Sequence, residues 1–254
     1  MKLEGKVVIV TGGASGIGRD TAVLMAKEGA KVVVAGRSKE KLAAVEQEIV
    51  EAGGQCTTFS GDLTSETANK DLVSHAVEKY GAVHAAFINA GVYKPCNLAE
   101  VTDADLDETF GANFKSAVFA LKHLGPAMKE TAGGKGSIIL NTSAMSTAVK
   151  TTLTAGWLYS CAKAAAKMLM TYAAITFAES EVRVNAVAPG VVSTPILGGM
   201  PEEQLNGFAS TVHLFPKRAG VPREIASFVT LLASDEGALA NGQEFVVDAG
   251  FSVC

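Results

Sequence analysis

Cysteine is scarce in this sequence. Cys56, Cys96, Cys161 and Cys254 are scattered, and no two form a C-x-x-C pair. That argues against a zinc site or a disulfide framework and fits a reducing compartment, so a cytoplasmic location is expected. Excess charge of one sign is also missing. The formal net charge is −4 and no basic block appears, which leaves nucleic acid and anionic membrane without electrostatic support as partners. There is no run of about 18 apolar residues to span a bilayer. The start, "MKLEGKVVIVTGG", is not expected to be a secretory leader, because its apolar run is short and is soon followed by a Gly pair. His75, His84, His123 and His213 have no metal-ligand spacing, so no metal is expected. His213 alone falls where it could meet a substrate.

What the chain does have is apolar content. Hydrophobic residues make up 48% and charged ones 19%, enough for a sizeable core and against disorder. Short β-branched runs at 6–11, 31–36, 55–61, 82–89, 136–143, 182–190 and 243–250 read as strands. The first are nearly continuous Val and Ile, as parallel strands covered on both faces require. Helical patterns lie between them, one opening at a candidate N-cap, Ser38, and one running unbroken over 102–130. This alternation predicts an α/β fold: a Rossmann-like, doubly wound parallel sheet of about seven strands in three αβα layers. No linker or repeat is visible, so 1–254 is expected to be one domain. Residues 191–215 break the rhythm with Pro, Gly and large apolar side chains, and read either as a short helix capping the core or as an apolar lid.

"VTGGASGIGRDTA" follows the first strand and opens the first helix. Glycines at 12, 16 and 18 allow a tight turn and close approach of a ligand. The helix N-terminus then offers free N–H groups to a pyrophosphate. The spacing is T-G-x-x-x-G-x-G rather than G-x-G-x-x-G. With it come Asp62-Leu63, Asn89-Ala90-Gly91, Asn113, Ser143, the "YSCAK" of Tyr159 and Lys163, and "NAVAPGVVSTP" at 185–195. In that order these motifs resemble the short-chain dehydrogenase/reductase family over the whole chain. Ile88 stands where a second Asn is frequent and Ala249 where Gly is usual.

The resemblance implies a nicotinamide dinucleotide held by Gly12, Ser15, Gly16, Ile17 and Gly18. Asp62 and Leu63 would touch adenine, and Asn89, Ala90 and Gly91 would follow the fourth strand. Pro189 and Gly190 would bend the chain around the nicotinamide, with Thr194 and the backbone of Val192 on its carboxamide. After the second strand, Gly36 supplies no carboxylate for a ribose 2′-OH, while Arg37, beside Ser38, can grip a 2′-phosphate. NADP(H) is therefore expected; NAD(H) remains the alternative, with Arg37 then a solvated loop cation.

Tyr159 and Lys163, at i and i+4, share one helical face. Carbonyl reduction needs a hydride and a proton; the nicotinamide supplies the first and the protein the second. A free tyrosine, with a pKa near ~10, exchanges its proton poorly at neutral pH. A nearby ammonium would lower that value. By the resemblance, Tyr159 is the acid/base, Lys163 lowers its pKa and holds the nicotinamide ribose, Ser143 polarises the substrate oxygen, and Asn113 holds a water leading to solvent. The family's commoner gap lands on Ser146, but the end of the fifth strand points to Ser143. Tyr93, Met145, Trp157, Leu197, Met200 and Phe208 are the candidate substrate lining, which favours a small, largely apolar molecule. The tyrosine helix is apolar nearly all round, so a second buried face is expected. The family implies a homotetramer or homodimer; both faces buried within one subunit is the alternative. The leading reading is an oxidoreductase interconverting a carbonyl and a secondary alcohol. A 3-oxoacyl-acyl-carrier-protein reductase and a non-catalytic dinucleotide sensor are the other two.

Overall fold

The computed structural model describes residues 1–253. Seven parallel strands form one sheet in the order β3-β2-β1-β4-β5-β6-β7. They are β1 (Val7–Thr11), β2 (Lys31–Gly36), β3 (Gln55–Ser60), β4 (Ala85–Ile88), β5 (Ser137–Asn141), β6 (Arg183–Pro189) and β7 (Glu244–Val247). The helices are α1 (Gly16–Lys27), α2 (Lys39–Glu51), α3 (Glu66–Tyr80), α4 (Asp103–Phe110), α5 (Ser116–Thr131), α6 (Trp157–Thr176), α7 (Glu202–Val212) and α8 (Pro222–Ala233). β2 coincides with its sequence signal, whereas β4 is shorter than the apolar run at 82–89.

Side chains of a strand point alternately to the two faces of the sheet, and both faces are dry here. Val8, Val10, Val32, Val34 and Phe87 pack against Met25, Leu42, Ile49 and Val229 of α1, α2 and α8. Ile9, Val33, Ala86, Ile138 and Val184 face α3, α5 and α6 through Leu72, Leu121, Met128 and Met170. This is why the strand sequences run apolar rather than alternate. Truncating a buried residue such as Ile9 to Ala would cost about 2–5 kcal/mol. Ser38 caps α2 by accepting a hydrogen bond from Lys41 N at 3.3 Å. Thr102 and Asp105 form a capping box at the start of α4.

Two expectations need correction. The helix read over 102–130 is interrupted: a π turn, Gly111–Lys115, separates α4 from α5. Such a turn keeps helical φ and ψ, so apolar periodicity does not reveal it. And the alternative that α6 buries both faces within one subunit does not hold. Ala162, Lys163, Ala166, Met170 and Ala173 face inward, while Met168, Tyr172 and Ile175 are exposed. The segment after β6 carries a short 3-10 turn, Pro195–Leu197, and then α7, which buries Leu205, Ala209 and Val212. Among the described residues no helix is long and apolar enough to cross a membrane. No metal-binding group of three or more His, Cys, Asp or Glu occurs among them. Cys56, Cys96 and Cys161 are free thiols, and Cys254 lies outside the described residues.

Candidate active site

The sheet order reverses between β1 and β4, and a long cleft of about 1120 Å³ opens there at the carboxyl ends of the strands. Thr11, the last residue of β1, organises its floor. Its hydroxyl accepts from Asn89 N at 2.9 Å and Ala90 N at 3.1 Å. Asn89 Nδ2 donates to the carbonyls of Thr11 and Gly12, and Asn141 Nδ2 donates to Asn89 Oδ1 at 2.8 Å. The ends of β1, β4 and β5 are thereby tied together.

Several features of this cleft fit a dinucleotide. Gly12 and Gly16 have φ of +62° and +53°, and a Cβ at Gly12 would lie 2.9 Å from Ala90 Cα. Ser15 makes no side-chain cap and the first turn of α1 holds no acid, so that helix end is open to an anion. Asn141 Oδ1 is buried without a hydrogen-bond partner. Gly12, Ser15, Gly16 and Ile17 line the cleft, as do Asn89, Ala90 and Gly91. Gly18 does not. A Cβ there would meet Gly12 O at 2.3 Å, so its smallness serves the packing of α1 under the loop.

At the far end of the cleft stand Arg37, Ser38, Asp62 and Leu63. Arg37 is exposed. The Asp62 carboxylate accepts from Thr64 N and Thr64 Oγ1 at 3.0 and 2.9 Å, which hold its pKa below the usual carboxylate range, helped by Arg37 and Lys115. The Ser38 hydroxyl is engaged in capping α2.

The near end meets a second cavity of about 330 Å³. Tyr159 and Asn141 line both. The phenol faces the Ser143 hydroxyl across the cavity wall, and its ring meets that of Tyr93 edge-on with centroids 5.3 Å apart. Lys163, only 3% exposed, donates to Asn141 O at 2.8 Å and lies 5.6 Å from the centroid of the Tyr159 ring. Ser146 faces elsewhere: its hydroxyl donates to Glu244 Oε1 at 3.2 Å. Of the two serines, Ser143 is the one at the phenol.

The nearby ammonium, helped by the oxidised cofactor's positive ring, is expected to lower the phenol's pKa; within the chain itself burial acts the other way. Burial pushes Tyr159 up to about 12; the Ser143 hydrogen bond opposes this and the Tyr93 phenol adds to it. Burial likewise brings Lys163 down to about 8. Desolvation penalises the charged form of each group, the phenolate and the ammonium.

Asn113 sits in the π turn and is buried. Its side chain accepts from Val92 N at 3.2 Å and donates to the carbonyls of Val92 and Thr109, both at 2.9 Å. Its Oδ1 and the Lys163 ammonium both approach Gly91, where a Cβ would lie 2.5 Å from the first and 3.4 Å from the second.

The cavity wall is apolar. Tyr93, Met145, Leu197, Met200 and Phe208 line it, with Pro189, Gly190, Val192 and Thr194 on the side of the cleft. Trp157 does not line it. Two residues before Tyr159 on α6, it points about 200° away around the helix, and its indole Nε1 is buried without a partner. His213 is not there either. It is buried, its Nε2 accepting from Val191 N at 3.1 Å and its Nδ1 donating to Arg218 O at 2.7 Å. Sequence reading missed Leu153 and Phe251, which join the wall from the loop before α6 and from the C-terminal turn. Phe251 had a signal, an aromatic residue just after the "VVDAG" strand.

Comparison with known proteins agrees with this geometry. The family model described as "Enoyl-(Acyl carrier protein) reductase" matches residues 12–252. Cyclohexanol dehydrogenase of Acinetobacter sp. (strain SE19) is 31% identical over 99% of this chain and 96% of that protein. The 3-oxoacyl-[acyl-carrier-protein] reductase of Thermotoga maritima is 32% identical over the full length of both. The crystal structure of a short-chain type dehydrogenase/reductase from Mycobacterium marinum superposes with a TM-score of 0.93, covering 100% of this chain and 98% of that one at 25% identity. The chain belongs to the short-chain dehydrogenase/reductase family. It is an oxidoreductase, and the family binds a nicotinamide dinucleotide.

Proposed function

We propose that this enzyme uses NADP(H) to interconvert a ketone and a secondary alcohol on a small, largely apolar molecule. The observation that carries the reading is the place of the Tyr159 phenol, at the junction of the dinucleotide cleft and the apolar cavity, with Ser143 beside it on the cavity wall. When bound, the cofactor supplies the hydride and, in its oxidised form, a positive ring. Ser143 and Tyr159 would grip a substrate oxygen between two hydroxyls. The phenol, held protonated by burial, donates its proton as charge develops on that oxygen. Lys163 holds its position by bonding Asn141 O and presents its remaining protons to the cleft. Gly12, Ser15, Gly16 and Ile17 would hold the pyrophosphate; Asp62 and Leu63 would hold adenine; Val192 and Thr194 would hold the carboxamide. A raised phenol pKa favours reduction near neutral pH, because alcohol oxidation needs the phenolate.

Among the described residues, none that lines the cavity is a side-chain cation for a carboxylate or phosphate on the substrate. Its size and apolar lining support a ketone on an aliphatic or aromatic ring. Arg37, exposed at the adenosine end beside a Gly36 without carboxylate, supports NADP(H) over NAD(H). The relationship to a 3-oxoacyl-[acyl-carrier-protein] reductase favours a second reading, an acyl thioester substrate. Against it, the helix over the cavity opens with the acids Glu202 and Glu203, a poor docking face for an acidic carrier. The exposed Met168, Tyr172 and Ile175 of α6 support a homodimer or homotetramer.

The test is NADPH oxidation with a panel of cyclic and aromatic ketones and 3-oxoacyl thioesters, using wild type and Tyr159→Phe. Turnover of ketones that collapses in the Phe variant is expected. Preference for the thioesters would favour the second reading, and full turnover by the Phe variant would remove the assigned acid.

A further inference from the structure

A polar cluster built on one buried carboxylate, with its lysine partner reaching solvent, stands behind the proposed catalytic group and takes no part in the chemistry above. Glu244, on β7, has a side chain only 5% exposed. Its Oε1 accepts from the hydroxyls of Thr142 at 2.8 Å and Ser146 at 3.2 Å. Its Oε2 pairs with Lys167 Nζ at 2.7 Å. Thr142 immediately precedes Ser143, and Ser146 N donates back to Ser143 O at 2.8 Å. Lys167 lies one helical turn beyond Lys163 on α6. One carboxylate therefore grips both sides of the serine turn and, with its other oxygen, the helix that carries Tyr159 and Lys163.

Net stability is a weak reason for a carboxylate there. A buried charge in an ion pair recovers its desolvation cost poorly, so the use of this one is better sought in the geometry it fixes. We propose that Glu244 is a positioning residue for the carbonyl chemistry: it fixes the serine turn against α6, so that the Ser143 hydroxyl meets the Tyr159 phenol. The inference rests on the reading of Ser143 and Tyr159 as the group that grips the substrate oxygen. Glu244 touches neither substrate nor cofactor and acts through Thr142 and Ser146.

The test compares Glu244→Leu, which removes both acceptor oxygens, with Glu244→Gln, which keeps one for Thr142 and Ser146. Two readouts are taken on the full chain. The first is kcat for a carbonyl that wild type reduces, with the NADPH Kd measured separately by fluorescence. The second is the 13Cζ resonance of Tyr159 in tyrosine-labelled protein, assigned with Tyr159→Phe and calibrated with Ser143→Ala. The Leu variant is expected to lose about 10- to 100-fold in kcat, with the NADPH Kd changed by less than about threefold. Its Tyr159 resonance should move to the Ser143→Ala position, while the Gln variant keeps most of the activity and a resonance near wild type. A Leu variant whose Tyr159 resonance stays at the wild-type position overturns the inference, whatever its melting temperature. So do Leu and Gln variants impaired alike. Because the spectrum needs no turnover, a wild type that reduces no carbonyl defeats the functional reading while the resonance still judges the clamp.

Discussion

The ammonium of Lys163 lies 5.6 Å from the centroid of the Tyr159 ring, one helical turn away, with the lysine buried and the tyrosine half-buried where both line the dinucleotide cleft. The cost of that arrangement falls on the lysine as well as on the phenol, and it gives a pH signature. Lys163 titrates near 8 when folded, against 10.5 for an ordinary lysine. Between those values the unfolded chain binds more protons than the folded one, so this residue makes stability rise with pH through that window. Below pH 8 the full cost of the buried charge is present. Lys163→Met should therefore be most stabilised relative to wild type below pH 8, with the gap closing towards pH 10.5. Denaturant unfolding of the cofactor-free proteins across the window checks this. Cys56 and Tyr80, whose raised values act in the opposite sense, titrate alike in both proteins and cancel.

Cofactor choice should be reversible at one position. A Cβ at Gly36 would meet only Leu42 Cδ2, at an ordinary 3.7 Å, so Gly36→Asp fits without rebuilding the turn. It places a carboxylate where a 2′-phosphate would lie and should turn preference towards NADH. Arg37→Ala should lower the ratio of kcat/KM for NADPH over NADH by about 10- to 100-fold, the worth of a charge-assisted hydrogen bond. Both ratios come from initial rates with the two cofactors.

The two serines after β5 should separate cleanly. Ser143→Ala removes a hydroxyl at the phenol and is expected to lower kcat by about 10²- to 10³-fold. Ser146→Ala removes one of two hydroxyls on Glu244 and should cost less than about tenfold, since Thr142 still anchors the turn. Steady-state kinetics at saturating NADPH distinguishes them. Equal losses would mean that the turn acts as one unit.

Ala249 has φ of +53°, a conformation that costs a side chain with a Cβ. Ala249→Gly should raise stability by about 0.5–1 kcal/mol, the relief of strain exceeding the added freedom of the unfolded chain. Gly250→Ala is the opposing control: its φ is +82° and its Cβ would meet Leu214 at 2.9 Å, so it should destabilise. Thermal unfolding of the two variants measures both.

The strands and the glycine loop were legible because they are local. β2 needs only its Val run, and Ser38 caps α2 as its position before the helical pattern predicts. Tyr159 and Lys163 were legible because i and i+4 share a face whatever surrounds the helix. What failed depends on partners distant in sequence. Trp157 and His213 are large and suitably placed along the chain, but only the direction of α6 and the carbonyl of Arg218 turn them from the cavity. The Glu244 cluster joins residues about a hundred positions apart, and nothing near Glu244 in sequence announces Thr142. The bonds of the Asn113 amide to the carbonyls of Val92 and Thr109 depend likewise on the π turn, which the sequence does not announce.

The imidazole of His213 joins Val191 to Arg218, the two feet of the strip that arches over the substrate cavity. The bridge between Val192 and Gly220 reinforces that tie, Gly220 N donating to Val191 O and Ser193 N to Gly220 O, both at 2.9 Å. Opening of the cavity would then fall to the α7 arch between fixed anchors. Widening or stiffening that arch would then tune exchange with solvent and leave the reacting groups beneath in place.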